Sequence, residues 1–445
     1  MTHTDAAAAS ASAVRPQGTA KTAAKDAPTI AAAFRITASE RADEVAIRTK
    51  GDEFSITWGA LQARVDSLAG GLAGLGLSPG QTMALMLSNR PEFHLCDLAA
   101  MTLGACPFSI YNTYTPEQIR YIVSDAEATI IVCEQQFLER VLEARKQLPQ
   151  LEHVIVVDGE PAQGTLALSD VEASGPGFDA EAAVDQIESG DLLTLIYTSG
   201  TTGPPKGVQL VHRNLLAAVE GLEELIEFPR DGRVVSWLPA AHVAERNAHH
   251  YLPIVFGLQI TCCDDPRQIL SYLPEVRPSW FFAVPRIWEK LKAGLETMIA
   301  GQPAEQGDKT RAAIDAALQK VRAEQRGEEV PAELADTVAA ADADIFSGLR
   351  TMLGLDQAVA INVGVGRGHR RGARVLPRHR PAPRRAVGDE RDMRGRHVQP
   401  ARPDQDRHGR AGGTGRRDKA RLRRRGARAL GSGHARLSQP AREDQ

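Results

Sequence analysis

A run of hydroxyl, glycine and lysine residues is the part of this sequence best suited to chemistry. It follows an apolar segment, residues 192–197, and its members are Thr198, Ser199, Gly200, Thr201, Thr202, Gly203, Pro204, Pro205, Lys206 and Gly207. Glycines let backbone N–H groups turn toward an anion, hydroxyls add further donors, and lysine adds a positive charge. These residue types therefore predict a binding loop for a triphosphate.

The loop differs from the P-loop of nucleoside triphosphatases. Lys206 follows a proline, and Gly207 stands where that motif has Ser or Thr. A strand-like stretch, residues 208–211, follows where a P-loop would begin a helix. A plain polar turn between two strands remains the alternative, although four Ser or Thr residues within residues 198–202 are unusual for such a turn.

A second polar segment, residues 237–246, has the sequence WLPAAHVAER. A lone histidine such as His242 in a mixed polar and apolar loop is more often a structural hydrogen-bonding group than a catalyst. For Glu245 and Arg246 we expect a structural ion pair or a solvated face, and for Trp237 a place in the core.

Alternating strand and helix patterns must position these loops. From residue 30 to residue 184, helical periodicity alternates with short β-branched runs, which predicts an α/β fold with a parallel or mixed sheet covered by helices. Five more strands are predicted at residues 191–197, 208–212, 234–238, 259–263 and 280–284. Residues 287–355 are rich in Ala, Glu, Lys and Gln, which predicts two or three surface helices, with an insertion at about residues 300–355.

The charge of the chain is divided between two unlike parts. Residues 361–445 contain 24 Lys and Arg against 8 Asp and Glu, a net charge of +16, whereas the preceding residues contain 29 against 48, a net of −19. The five cysteines are irregularly spaced, and this excludes a disulfide framework or a zinc pattern and favours a reducing compartment. No run of 18 apolar residues is present to span a bilayer.

Both ends of the chain have the composition of disordered segments. Residues 1–29 are rich in Ala, Ser and Thr, without the apolar run of a signal peptide, and we expect a disordered leader. Residues 365–445 contain no aromatic residue, and Arg dominates without any period. This tail is expected to be disordered. It is either a translated frameshift of GC-rich coding sequence, which we favour, or an evolved basic arm that binds nucleic acid through phosphates. No specific nucleic-acid partner is expected.

Taken together, the motifs resemble the adenylate-forming (AMP-binding) superfamily, which includes acyl-CoA synthetases, peptide-synthetase adenylation domains and luciferases. The loop at residues 198–207 matches its phosphate signature, and residues 208–215 (VQLVHRNL) continue that match. Residues 237–246, together with residues 282–291 (FAVPRIWEKL), resemble the long-chain fatty-acyl-CoA synthetases of this superfamily. Residues 360–364 (AINVG) are similar to the strand that meets the adenine ring in the family.

The resemblance implies a role for each matching residue. Thr198, Ser199, Gly200, Thr201, Thr202, Gly203 and Lys206 would hold the phosphates of ATP, and Asn362 and Gly364 the adenine. His242 would line the junction of the substrate carboxylate and the α-phosphate, and Lys206 would share in catalysis. The hydroxyl of Thr201 would contact Mg²⁺. The implied substrates are ATP, a fatty acid and CoA.

The tail departs from the family pattern. The family has an aromatic-Gly-x-Thr-Glu segment, a ribose-binding Asp and a C-terminal lysine, and none of these occurs in residues 365–445. We therefore expect an incomplete adenylate-forming domain, residues 30–364, in a cytoplasmic fatty-acid–CoA ligase homologue of lipid metabolism that is impaired in catalysis. The alternatives are a ligase that transfers the acyl-adenylate to a carrier protein, and a non-catalytic remnant that binds nucleotide or acyl chain. Peripheral membrane association and the oligomeric state stay open.

Overall fold

The computed structural model describes residues 23–198 and 203–364. All of them belong to one of two compact units, and the second unit, residues 397–445, lies outside the described part. The predicted tail and residues 1–22 of the predicted leader lie outside it as well. The packed structure begins before the expected boundary at residue 30, because Ala24 and Ala27 are buried and the Thr29 hydroxyl caps the first helix.

The strands are short and the helices lie between them. The strands are β1 Val45–Thr49, β2 Ser55–Thr57, β3 Thr82–Met86, β4 Cys106–Ser109, β5 Ile130–Cys133, β6 His153–Val156, β7 Leu166–Ala167, β8 Leu192–Thr198, β9 Lys206–Val211, β10 Arg233–Ser236, β11 Gln259–Cys262, β12 Trp280–Ala283 and β13 Ala360–Val363. The α-helices are α1 Ile30–Glu40, α2 Trp58–Gly74, α3 Pro91–Thr102, α4 Pro116–Asp125, α5 Gln135–Arg145, α6 Leu168–Ala173, α7 Ala180–Val184, α8 His212–Glu223, α9 Val243–Arg246, α10 Leu252–Phe256, α11 Ile269–Val276, α12 Pro285–Ala300, α13 Ala304–Arg326, α14 Ala332–Ala341 and α15 Ser347–Met352. Two π-helical segments are described: Asp342–Phe346 joins α14 to α15, and Asn247–Tyr251, called the π-helical segment below, joins α9 to α10.

Parallel strands dominate the described sheets. One sheet is entirely parallel, in the order β4-β3-β5-β6-β7. Another has the order β10-β11-β1-β2, in which only β2 is antiparallel to its neighbour. Two smaller pairs complete the set, the antiparallel β8-β9 and the parallel β12-β13. The α/β prediction is confirmed, and the fully buried apolar strands β4 and β5 are typical of a parallel sheet covered on both faces.

Local sequence signals account for several element boundaries. Thr115 and Gln118 form a reciprocal capping box at the start of α4, and Pro116 occupies its first turn.

Residues 300–355 form three α-helices around a small apolar core, which includes Ala317 and Phe346. No helix in residues 23–198 or 203–364 is long and apolar enough to cross a membrane. Adjacent Cys262 and Cys263 are buried and pack as small core residues.

His212 joins the first helix to the strand pair β8-β9. The backbone N–H of Ile30 donates to its Nδ1 at 3.1 Å, and the imidazole is buried at the start of α8. Burial lowers the pKa of His212 from 6.5 to about 4, although Asp191 acts in the opposite direction. The folded chain therefore holds His212 neutral at a pH where the unfolded chain binds a proton.

This lowered pKa gives the stability a defined dependence on pH. Because the unfolded state binds the proton first, the free energy of unfolding should fall as the pH drops from about 6.5 toward about 4. The contribution of His212 is on the order of 2–3 kcal/mol. We expect His212→Gln to flatten this slope in urea unfolding curves recorded across that range, with the two proteins compared at pH 8 as the reference. Equal slopes would contradict the assignment.

Candidate functional site

The predicted phosphate loop joins two antiparallel strands. Thr198 at the end of β8 pairs with Lys206 at the start of β9, and Tyr197 pairs with Gly207. The structure thus brings Thr198 and Lys206 face to face at the base of the loop. Ser199, Gly200, Thr201 and Thr202 lie outside the described residues. The strand after Lys206 confirms that the loop is not a P-loop, in which a helix would follow.

The strand pair is held against the parallel sheet by polar and aromatic contacts. The Thr194 hydroxyl of β8 donates to the carbonyl of Pro107 in β4 at 2.7 Å. The Tyr197 hydroxyl donates to Asp125 at 2.8 Å, and the Tyr121 hydroxyl donates to the carbonyl of Pro205 at 2.9 Å. The loop is therefore anchored on both sides of its tip.

Two residues of the loop have features that suit an anion. Lys206 is exposed and forms no ion pair with any residue in the described ranges. Gly203 has φ +107°, a conformation that L side chains rarely adopt, and a Cβ built there would meet no described atom within 4 Å. The charge of Lys206 is thus not neutralised by a described carboxylate.

His242 begins the turn that leads into α9. Its Nδ1 accepts the backbone N–H of Ala244 at 3.1 Å, and its carbonyl accepts the N–H of Glu245 at 3.1 Å. Because Nδ1 is an acceptor, the neutral imidazole carries its proton on Nε2 and can donate from that atom. The structure therefore gives His242 the structural hydrogen bond expected of a lone histidine and leaves Nε2 for a further acceptor.

Glu245 is buried and surrounded by hydrogen-bond donors. The hydroxyl of Ser236 donates to it at 2.6 Å, the Asn89 amide at 3.0 Å, the Leu238 backbone N–H at 2.9 Å and His249 Nδ1 at 2.6 Å. These donors come from the ends of β3 and β10 and from the π-helical segment. The carboxylate thus ties the carboxyl edges of two sheets to the turn that holds His242.

Arg246 is fully buried and pairs with Asp97 of α3. Its Nη1 donates to Asp97 at 2.6 Å and to the Tyr251 hydroxyl at 2.9 Å, and its Nη2 donates to Ser109 at 3.0 Å. Burial alone would lower the pKa of Arg246, but Asp97 and Tyr251 raise it above its ordinary value. Arg246 thus pairs with Asp97 and not with Glu245, whose carboxylate contacts His249, and the alternative of a solvated face is wrong for both Glu245 and Arg246, which have 0% exposure.

Two further histidines extend this network. His250 Nε2 donates to the second carboxylate oxygen of Asp97 at 2.9 Å, and the Nδ1 atoms of His250 and His94 are 2.9 Å apart. One of these two Nδ1 atoms must donate and the other accept. Burial and the neighbouring His250 hold the pKa of His94 well below 6.5, so His94 is neutral. Burial alone would raise the pKa of Asp97, yet Arg246 and His250 keep it below its ordinary value.

The predicted adenine strand pairs with β12. In the β12-β13 pair, Phe282 is opposite Asn362, whose side chain accepts the Trp280 indole N–H at 2.6 Å. Gly364 is packed so closely against the Phe282 ring that a Cβ there would lie 2.2 Å from it. The indole N–H of Trp237, which is buried as expected, donates to the Phe282 carbonyl at 3.3 Å. Trp237 thereby joins β12, the partner of the predicted adenine strand, to the His242 turn.

Sequence reasoning missed most of the buried network. The missed residues are Asn89, His94, Asp97, Ser109, Ser236, His249, His250 and Tyr251. One signal was available, because His94 and Asp97 interrupt an otherwise apolar helical stretch one turn apart, and such residues are buried only when paired. No cluster of three His, Cys, Asp or Glu residues able to hold a metal ion is found in the described residues.

Comparison with known proteins decides the family. The profile of the AMP-binding enzyme family matches residues 34–357. The chain belongs to this family. A Mycobacterium tuberculosis protein named "Putative fatty-acid--CoA ligase fadD11" is 42% identical over 199 residues, covering 44% of this chain and 35% of that protein. The peroxisomal long chain acyl-CoA synthetase 6 of Arabidopsis thaliana is 30% identical over 256 residues, covering 56% of this chain and 36% of that protein. The match thus spans about a third of the length of these relatives.

Solved structures show the same fold in adenylate-forming ligases. The anthranilate CoA ligase AuaEII, solved with anthranoyl-AMP, superposes with a TM-score of 0.55 at 22% identity, over 60% of this chain and 52% of that chain. The long-chain-fatty-acid-CoA ligase FadD1 of Archaeoglobus fulgidus gives 0.53 at 22% identity, over 62% and 54%. The resemblance predicted from the motifs is confirmed at the level of family and fold.

The donors around Glu245 generate a prediction about stability. Glu245→Gln replaces an acceptor with an amide whose NH₂ group would face other donors, which leaves buried groups unsatisfied. We expect the free energy of unfolding to fall by about 2–4 kcal/mol. The matched control is Glu224→Gln, because Glu224 is exposed and should change stability by less than about 0.5 kcal/mol. Chemical denaturation followed by circular dichroism measures both, and a similar midpoint for the two variants would refute this role of Glu245.

Proposed function

We propose that this chain is a fatty-acid–CoA ligase homologue in which the loop at residues 198–207, the His242 turn and residues 360–364 form an ATP and acyl-adenylate site. The observation that carries the proposal is the strand pair β8-β9, which places Thr198 opposite Lys206 at the base of a hydroxyl- and glycine-rich loop. The names of the relatives support a long-chain fatty acid and CoA as the other substrates.

The proposed roles follow the chemistry of the side chains. Backbone N–H groups and hydroxyls of Thr198, Ser199, Gly200, Thr201, Thr202 and Gly203 would hold the β- and γ-phosphates together with Lys206. Asn362 and Gly364 would border the adenine. His242 would donate from Nε2 to the oxygens at the junction of carboxylate and α-phosphate, because its Nδ1 is already engaged by Ala244.

This arrangement addresses the main obstacle of the reaction, which is the approach of two anions. The fatty-acid carboxylate oxygen attacks the α-phosphorus, the bond from that phosphorus to the bridging oxygen breaks, and pyrophosphate leaves with the bond electrons. Fixed donors along this path stabilise the developing charge and preserve the in-line geometry. The thiol of CoA would then attack the acyl carbon and release AMP.

Mg²⁺ fits this site only as an ion carried by the triphosphate. Mg²⁺ commonly keeps several waters and binds through substrate phosphates with one or two protein oxygens. The Thr201 hydroxyl is the proposed protein ligand, and the described residues contain no acidic cluster that could hold the ion alone. When bound, the ion would neutralise phosphate charge.

A second candidate function is nucleotide binding without turnover. The sequence of residues 365–445 contains neither the Glu that serves Mg²⁺ nor the ribose-binding Asp nor the catalytic lysine that the family pattern leads one to expect. Binding of ATP phosphates alone stabilises substrate and transition state equally, which does not raise the rate of the chemical step.

The assignment of the nucleotide site is tested by removing the charge of Lys206 or the hydroxyl of Thr201. Lys206→Ala and Thr201→Ala should each weaken ATP binding by about 1–3 kcal/mol, the scale of charge-assisted hydrogen bonds. Isothermal titration calorimetry with Mg·ATP measures this. The control is Lys292→Ala, since Lys292 lies on α12 and pairs with Glu296. If both site variants keep the affinity of the unmodified chain, the loop is not the nucleotide site.

Catalysis is tested separately from binding. We expect this chain to form acyl-CoA at less than a tenth of the rate of an intact family member, because loss of one transition-state donor typically lowers a rate about 10²–10³-fold. Acyl-CoA formation and pyrophosphate release are followed in parallel. Turnover within tenfold of the intact enzyme would exclude the impairment.

Translation of the coding sequence downstream of the Gly364 codon in all three frames tests the frameshift hypothesis, which predicts the missing motifs in another frame.

A further inference from the structure

Arg246 connects three separate parts of the chain that surround the proposed site. Its guanidinium reaches Asp97 of α3, Ser109 at the carboxyl end of β4, and Tyr251 of the π-helical segment. Thr194 of β8 donates to the carbonyl of Pro107, which lies on β4 together with Ser109. Arg246 is thus linked, through β4, to the strand that leads into the phosphate loop.

The same residue is linked to His242 through the backbone. The N–H of Arg246 donates to the His242 carbonyl at 3.4 Å, one turn back in α9. This helix is the first turn of a continuous helical stretch that runs through the π-helical segment Asn247–Tyr251 into α10. The backbone N–H groups of a first turn have no partner within the helix, so this end is held less firmly by the helix itself than the turns that follow. Side-chain contacts therefore contribute to its orientation.

We propose that Arg246 is a positioning residue that sets the orientation of the His242 imidazole relative to the phosphate loop. The planar guanidinium fork fixes direction as well as distance, and it is held by Asp97, Tyr251 and Ser109 without access to water. A rotation of α9 would break these contacts and would also pull the Ala244 N–H away from His242 Nδ1. The proposal rests on the proposed function for the ligand that His242 meets, but the orientation of His242 can be measured without any ligand.

The first measurement uses the free protein. In the ¹⁵N spectrum of histidine-labelled full-length chain, His242 is assigned by comparison with His242→Gln. We expect a single tautomer with the proton on Nε2. In Tyr251→Phe, and more strongly in the double variant Asp97→Asn/Arg246→Gln, a mixture of tautomers should appear. The double variant replaces both charges, so that no unpaired buried ion remains to unfold the protein.

The second measurement is a double-mutant cycle with a stable analogue of the acyl-adenylate, dodecanoyl-sulfamoyl-adenosine. We expect Tyr251→Phe to weaken its binding about fivefold, the scale of one hydrogen bond, and to have less than a twofold effect when His242 is already Ala. Tyr272→Phe is the matched control, because Tyr272 is also a buried tyrosine but lies on α11, outside the network, and its removal should change neither measurement.

The outcomes separate the two proposals. Unchanged His242 signals in both variants would overturn the positioning role, as would equal losses of affinity with and without His242. If the unmodified chain does not bind the analogue while the His242 signals still respond to Tyr251→Phe, the positioning role stands and the proposed function fails.

Discussion

A buried guanidinium and two buried carboxylates, at the place where the sheets meet, constrain the rest of the structure. Arg246, Asp97 and Glu245 all have 0% exposure. Ions of this size are several kcal/mol less stable in a protein interior than in water unless they are paired and hydrogen-bonded. The fold meets this requirement by bringing donors and acceptors from α3, β3, β4, β10 and the π-helical segment to one point. Apolar residues could fill the same volume, but they would not fix the direction in which α9 leaves β10.

The negative charge of both the chain and its proposed substrates makes the orientation of nearby hydrogen-bond donors important. Residues 1–360 have a net charge of −19, whereas the proposed substrates ATP, fatty acid and CoA are all anions. At physiological ionic strength the field of distant carboxylates is screened beyond about 8 Å. Whether an anionic substrate binds would then be decided by groups within contact distance, namely backbone N–H groups, hydroxyls and Lys206. Such groups act on an anion only when their directions are fixed, and Tyr197 and Tyr121 anchor the chain on the two described sides of the loop, at Tyr197 and at Pro205.

Local patterns were sufficient to predict the α/β fold and the five strands β8 to β12, but not the network beneath them. The β-branched runs and the Thr115-Pro116 start of α4 depend on neighbours in the chain, and so the sequence contains their cause. The pairing of Arg246 with Asp97 joins residues 149 positions apart and depends on how two sheets pack. Periodicity carries no information about that packing. The same limit explains why a solvated face was considered for Glu245, whose partners come from residues 89, 236, 238 and 249.

The sequence suggested two roles for His242, a structural hydrogen bond and a contact with the substrate carboxylate and α-phosphate. These two roles are compatible. An imidazole has two nitrogens, and a structural hydrogen bond to one of them selects the tautomer of the other. The Ala244 N–H engages Nδ1, and this makes Nε2 the donor. A histidine that is fixed in this way needs no reorganisation when an anion arrives, which is the condition under which a hydrogen-bond donor contributes most to stabilising developing charge. The structural bond is therefore the means by which His242 would serve the chemistry, and Arg246 holds the turn in which that bond forms.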